Sequence, residues 1–225
     1  MCPSPLLEAR DLRVTLPGDV GPVAVLDGVS LTVPGGEVVD VIGPSGSGKS
    51  TLLRTLARLL PGAQGTLLLD GQPAEAIEPH AWRCRVALLP QKAAIVPGTV
   101  RDNLVLPWSL KARVHETAPA DAELRAALDR VNLGDVDLDR DADRLSVGQA
   151  ARIALTRVVL AAPEVLLLDE PDANLDDASA EQVRRMTEAF AAAGGGVVRV
   201  RHQRSDELAA RRLHLEGGTL GEVAS

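Results

Sequence analysis

The stretch Gly43-Pro44-Ser45-Gly46-Ser47-Gly48-Lys49-Ser50-Thr51 lies between an apolar run, Val38 to Ile42, and a helical pattern, Ser50 to Leu60. Glycine, four residues, then Gly-Lys-Ser, placed between strand and helix, is the arrangement of a phosphate-binding loop. Glycines let backbone N–H groups approach phosphate oxygens with no Cβ in the way. Together with the helix N-terminus those N–H groups form an anion site. Lys49 is expected to reach the β- and γ-phosphates, and the Ser50 hydroxyl to ligate Mg²⁺. The competing reading is a glycine turn that binds nothing.

Outward from that loop, the chain alternates strands and helices. Leu6 to Leu16, Val29 to Val33 and Gly65 to Asp70 read as strands of an antiparallel sheet, with turns at Pro17-Gly18-Asp19 and Pro34-Gly35-Gly36. Val38–Ile42, Val86–Leu89, Val165–Leu168 and Val197–Val200 read as buried parallel strands; the acidic Asp40 inside the first has no evident partner in the sequence. Leu52, Leu53, Leu56, Leu59 and Leu60 recur at helical spacing up to Pro61-Gly62. Helices are expected after Pro119, from Ser146 to Ala161, over 178–193, and again after Leu208 before short strands. Strand–helix alternation implies an α/β fold with right-handed crossovers. In such sheets ligands sit beyond the carboxyl ends of the strands. Gly43, Gln91, Asp169 and His202 each follow a strand, so four strands are expected to deliver polar groups to one edge.

Composition narrows the function. The 225 residues suit one large domain, and 45% are hydrophobic. The net charge of −7 argues against a general nucleic-acid binder. Two cysteines imply no disulfide framework. No apolar run reaches membrane-spanning length and no leader pattern opens the chain, so a membrane role is expected to need a separate partner. The alternating Asp135, Asp137, Asp139, Asp141 and Asp143 lack the Gly and Glu of a calcium loop, with Arg140 and Ser146 standing there, and read as a solvated turn.

Asp169 follows four apolar residues, as a metal-side acid does, and Glu170 is then placed to activate a water for attack on the γ-phosphate. Gln91 is a candidate for contact with the metal or that water, and His202 for hydrogen bonding to the γ-phosphate. Ser146-Val147-Gly148-Gln149 opens a helix whose Ser hydroxyl, Gly148 N–H and dipole can take a phosphate. One chain does not easily bring that helix to its own loop, so a second copy is implied.

The ordered set of GPSGSGKST, Gln91, LSVGQ, VLLLDEP, Asn174-Leu175-Asp176 and His202 resembles the ATP-binding cassette (ABC) ATPases over nearly the whole chain. The resemblance implies an ABC-type phosphate-loop fold, with a parallel core sheet, an antiparallel β subdomain and a helical subdomain. Residues 1–91 and 163–225 would form the core with the β subdomain, and 92–162 the helical subdomain. It implies ATP and Mg²⁺, held by residues 43–51, by Ser50, Gln91 and Asp169 on the metal, and by Ser146, Gly148 and Gln149 of a head-to-tail partner copy. Glu170, His202, Gln91 and Lys49 would carry hydrolysis. Residues 92–108 match the region that docks on a transmembrane permease, which would hold the protein at the inner face of the cell membrane. Thr99–Leu104 with Pro107-Trp108 resembles bacterial cassettes of iron or metal export. The alternative is a non-transport cassette acting as an ATP-gated regulator or scaffold. The chain departs from the family at four points. Val147 stands for a glycine, where a Cβ would crowd the nucleotide or alter the cap geometry, and Ala173-Asn174 for Ser-Ala. Arg201 stands for Ser or Thr, and no aromatic lies near Leu16 to stack on adenine.

Overall fold

The computed structural model describes residues 5–18, 21–92, 94–113, 115–201 and 207–223. In chain order they form β1 (Leu7–Gly18), β2 (Gly21–Val33), β3 (Val38–Ile42), α1 (Lys49–Leu56), β4 (Gln64–Leu69) and β5 (Gln72–Pro73). Then come α2 (Pro79–Arg85), β6 (Val86–Leu89), α3 (Val100–Val105), α4 (Asp121–Arg130), α5 (Val147–Leu160), β7 (Val165–Asp169), α6 (Asp177–Ala192), β8 (Gly196–Val200), β9 (Arg211–Glu216) and β10 (Thr219–Glu222).

Two sheets carry the molecule. One is antiparallel in the order β2-β1-β4-β5; the other runs β10-β9-β3-β8-β7-β6, parallel except for β10. Period-two alternation sorts the parallel sheet's side chains onto two faces. Val39, Val41, Val165, Leu167, Val198 and Val200 join Leu52, Leu53 and Leu56 of α1 and the inner face of the antiparallel sheet. Val38, Leu166, Leu168 and Val197 join Ala154 and Leu155 of α5 and Val183 of α6 on the other face. A third cluster, Val100, Leu104, Leu124, Leu128, Leu133, Leu138 and Ile153, packs α3 and α4 on α5. Val100 and Leu104 of the expected docking region therefore belong to that core.

Three expectations need correction. The first helix ends at Leu56 rather than at Leu60. Trp82 takes the Leu56 carbonyl with its indole N–H at 2.9 Å, Arg58 turns left-handed (φ 53°), and Leu59 N–H closes on Arg54 O at 2.9 Å. This is the bonding of a Schellman cap, with Arg where glycine is usual. The stretch from Leu208 contains no helix among its described residues. Arg211–Glu216 pairs in parallel with β3 and buries Leu213 and Leu215 by alternation, because β3 would otherwise present an open edge. The first hairpin also runs further than the Pro17-Gly18 turn suggested: Pro17 pairs with Pro22 and Gly18 with Gly21.

Asp40 has a partner. Arg199 of β8, the neighbouring strand, donates Nε to Oδ1 at 2.7 Å and Nη2 to Oδ2 at 3.0 Å, and both side chains are 3% exposed. The acidic stretch works as turn chemistry: Asp137 and Asp141 accept the N–H groups two residues on, and Asp139 takes Arg101.

Candidate active site

β3 ends at Ile42 and the phosphate loop begins. Gly43 has φ 152°, and a Cβ there would stand 2.2 Å from the Leu215 carbonyl oxygen of β9. Gly48 has φ 100°, and its Cβ would stand 2.8 Å from Val25 Cγ1 of β2. The loop is clamped at both ends by different strands, and only glycine fits either clamp. Gly48 also caps α1 without a side chain, and the first turn holds no acidic residue. By contrast Thr99, Ser146 and Asp176 cap α3, α5 and α6 through their side chains. The α1 N-terminus thus keeps the positive end of its dipole and its first N–H groups for an anion.

Lys49 is buried and donates Nζ to Gly43 O and Pro44 O, each at 2.8 Å. The ammonium and the loop's shape are set together. Ser47 Oγ is buried without a hydrogen bond in the loop. Pro44, Ser45, Gly46 and Ser50 are exposed and Thr51 half-buried.

Asp169 closes β7, which α1 packs upon. It is 8% exposed, and its Oδ1 is buried with no hydrogen-bond partner among the described residues. A buried carboxylate oxygen is seldom left so, and a hard divalent cation is a partner it suits. Glu170 follows in the left-handed region (φ 49°), with its N–H on Val200 O at 3.1 Å. Its Oε2 accepts Gln91 Nε2 at 2.7 Å. β6 and β7 are neighbours, so their ends bring these two side chains together. His202 lies outside the described residues.

Ser146 and Gln149 form a reciprocal capping box: Gln149 N–H reaches Ser146 Oγ at 3.2 Å, and Ser146 N–H reaches Gln149 Oε1 at 3.0 Å. Val147 is 67% exposed beside this intact cap, so the side chain that replaces glycine leaves the cap geometry unchanged. Gly148 is buried, and a Cβ on it would meet Ser179 Oγ at 2.3 Å. Ser179 in turn donates N–H and Oγ to the two oxygens of Asp176, which caps α6. These bonds, the backbone one first, hold the Asp176 carboxyl below its usual range. Ser179 was not legible as a site neighbour, because only helix packing brings it under Gly148. At the hairpin end where adenine would stack, Leu16 and Val23 pair across the strands, both exposed.

A phosphate loop after one parallel strand, a buried acid and a carboxylate after another, and a capped Ser-x-Gly-Gln helix define an ATP-binding cassette. The ABC transporter family profile matches residues 26–173, and the chain belongs to that family. It is 46% identical to "Protein STAR1" of Oryza sativa subsp. japonica over 159 residues, 71% of this chain and 45% of that protein, so it spans about half that relative's length. It is 34% identical to "Probable iron export ATP-binding protein FetA" of Escherichia coli K12 over 187 residues, 83% of this chain and 80% of that protein. The fold is that of "Structure of a bacterial Atm1-family ABC exporter with ATP bound", with TM-score 0.82 at 24% identity over 99% of this chain and 39% of the other. Among the described residues no helix is long and apolar enough to cross a membrane.

Proposed function

We propose that this cassette binds and hydrolyses Mg²⁺-ATP to drive a separate membrane permease, and that two copies pair head to tail to do so. The observation that carries the reading is the buried Lys49 in a glycine-clamped, side-chain-free helix start, with Asp169 and the Gln91–Glu170 pair on neighbouring strand ends. In this reading the loop's N–H groups cradle the phosphate tail, and Lys49 exchanges its carbonyl contacts for phosphate oxygens. Ser50 and Asp169 would hold Mg²⁺, which supplies charge neutralisation at the phosphates. Glu170 accepts the proton of the attacking water, and Gln91 keeps its carboxylate in place. His202 would meet the γ-phosphate.

The helix start at Ser146 serves a partner's nucleotide. What supports this is that α1 and α5 pack on opposite faces of the parallel sheet. Ser146, Gly148 and Gln149 would then close the site across the dimer, with residues 92–162 as the helical subdomain that presents them to the permease side. The names of relatives such as the iron export protein support a metal cargo, and the permease would tether the cassette to the cytoplasmic membrane face.

The test is ATP turnover by a Glu170→Gln protein. Its rate should fall on the order of a hundredfold or more while Mg²⁺-ATP still raises its Tm. Lys49→Ala should lose the Tm shift as well. Equal turnover by wild type and Glu170→Gln would sink the mechanism.

A further inference from the structure

β8 and the residue after it deliver two arginines to one sheet face, two positions apart. Arg199 pairs with Asp40 inside the sheet. Arg201 is also buried and reaches across to Asp172, Nη2 to Oδ2 at 2.5 Å. That carboxylate sits in the turn leading from Glu170 to the α6 cap, Asp176. The turn contains two non-glycine residues in the left-handed region, Glu170 (φ 49°) and Asn174 (φ 61°). Such residues persist only where their surroundings over-determine them.

The surroundings are specific. Glu170 N–H bonds to Val200 O at 3.1 Å, Ala173 N–H to Glu170 O at 3.1 Å, and Leu175 N–H to Asp172 O at 3.4 Å. Arg201 N–H bonds to Val41 O at 3.2 Å, on the strand that opens the phosphate loop. Asp172, half-buried midway along this turn, is therefore tied through Arg201 to β3. Both β3 and β7 end in nucleotide-facing residues, and this tether spans between them.

We propose that the Arg201–Asp172 pair is a positioning element. It holds the Glu170–Asn174 turn so that the Glu170 carboxylate stays aimed at the attacking water. The proposal rests on the ATP-hydrolysis reading above. A Ser or Thr at this position could not span to Asp172, and neither carries a charged fork. A charge-assisted bond at this depth is short and directional, and lysine does not reproduce its geometry. Neither side chain is assigned a contact with ATP, so the pair acts only through Glu170.

The experiment compares wild type with Asp172→Asn, Arg201→Lys and the double variant, in ATP turnover and in amide hydrogen exchange without nucleotide. Asp172→Asn conserves shape, which keeps the comparison valid if Arg201→Lys folds poorly. Each single change should lower kcat about tenfold with KM for ATP within about twofold. The double variant should lose less than the product of the two single losses, because both changes break the same pair. Amides of Glu170, Ala173 and Leu175 should exchange faster in all three variants. A purely structural role would reduce the folded fraction while leaving kcat per folded molecule alone, and that result overturns the proposal. Multiplying losses in the double variant overturn it too. If wild type itself fails to turn over ATP, the functional reading fails, and unchanged exchange at 170–175 then overturns the tether separately.

Discussion

Gly148 shows how much one hydrogen atom in place of a side chain can decide. Its neighbour across the α5–α6 contact is Ser179, whose Oγ would lie 2.3 Å from an added Cβ. Gly148→Ala therefore forces apart the starts of α5 and α6. A loss of about 1–3 kcal/mol is expected from such overpacking, read as a lower Tm. Ser179→Ala in that background removes the clashing oxygen and should recover part of the loss; no recovery would mean the strain lies elsewhere. The residue that departs from the family, Val147, is by contrast exposed and carries no comparable constraint.

At the level of elements, β3 and β8 are joined by the buried Asp40–Arg199 pair as well as by their ladder. Removing either side chain breaks that buried charge pair. Asp40→Ala or Arg199→Met alone should cost about 3–5 kcal/mol in denaturant unfolding, while Asp40→Leu with Arg199→Met should cost far less. If the double change is as costly as both singles together, the two side chains are not coupled. Helix α6 makes a separate prediction in pH. Glu181 accepts from Arg184 and Arg185, and those bonds, Arg184 first, pull its carboxyl down to about 2 from an ordinary 4.5. Its folded value lies below its unfolded one, so its contribution is present above the ordinary value and fades as pH falls from 4.5 toward 2. The Tm difference between wild type and Glu181→Gln should shrink over that interval. A difference that widens on acidification would contradict the assignment.

For the whole molecule, the opposite placement of α1 and α5 makes the pairing of copies testable by complementation. Lys49→Ala and Ser146→Arg proteins should each be inactive alone. Mixed equally, half of the dimers would carry one intact composite site, so about a quarter of wild-type turnover should return if the two sites act independently. Sedimentation should show the Glu170→Gln protein dimerising with Mg²⁺-ATP. A mixture as inactive as its parts would place the Ser146 helix outside the partner's site.

Much of this was readable from the chain alone, for a local reason. A phosphate loop is nine consecutive residues whose turn, helix start and charge are encoded side by side, and the buried strands announce themselves as unbroken apolar runs. The same holds for the Ser146 cap, which needs only Gln149 three residues on. What depended on distant neighbours was not readable. The end of α1 is decided by Trp82, the strand character of Arg211–Glu216 by the edge of β3, and the partner of Asp40 by a residue 159 positions away. Sequence determined which chemistry is present, because that chemistry is carried by short contiguous segments. Only the tertiary structure decided which side chains meet, as with Gln91 on Glu170 and Arg201 on Asp172, because hydrogen bonds between strand ends exist only once the sheet has set their order.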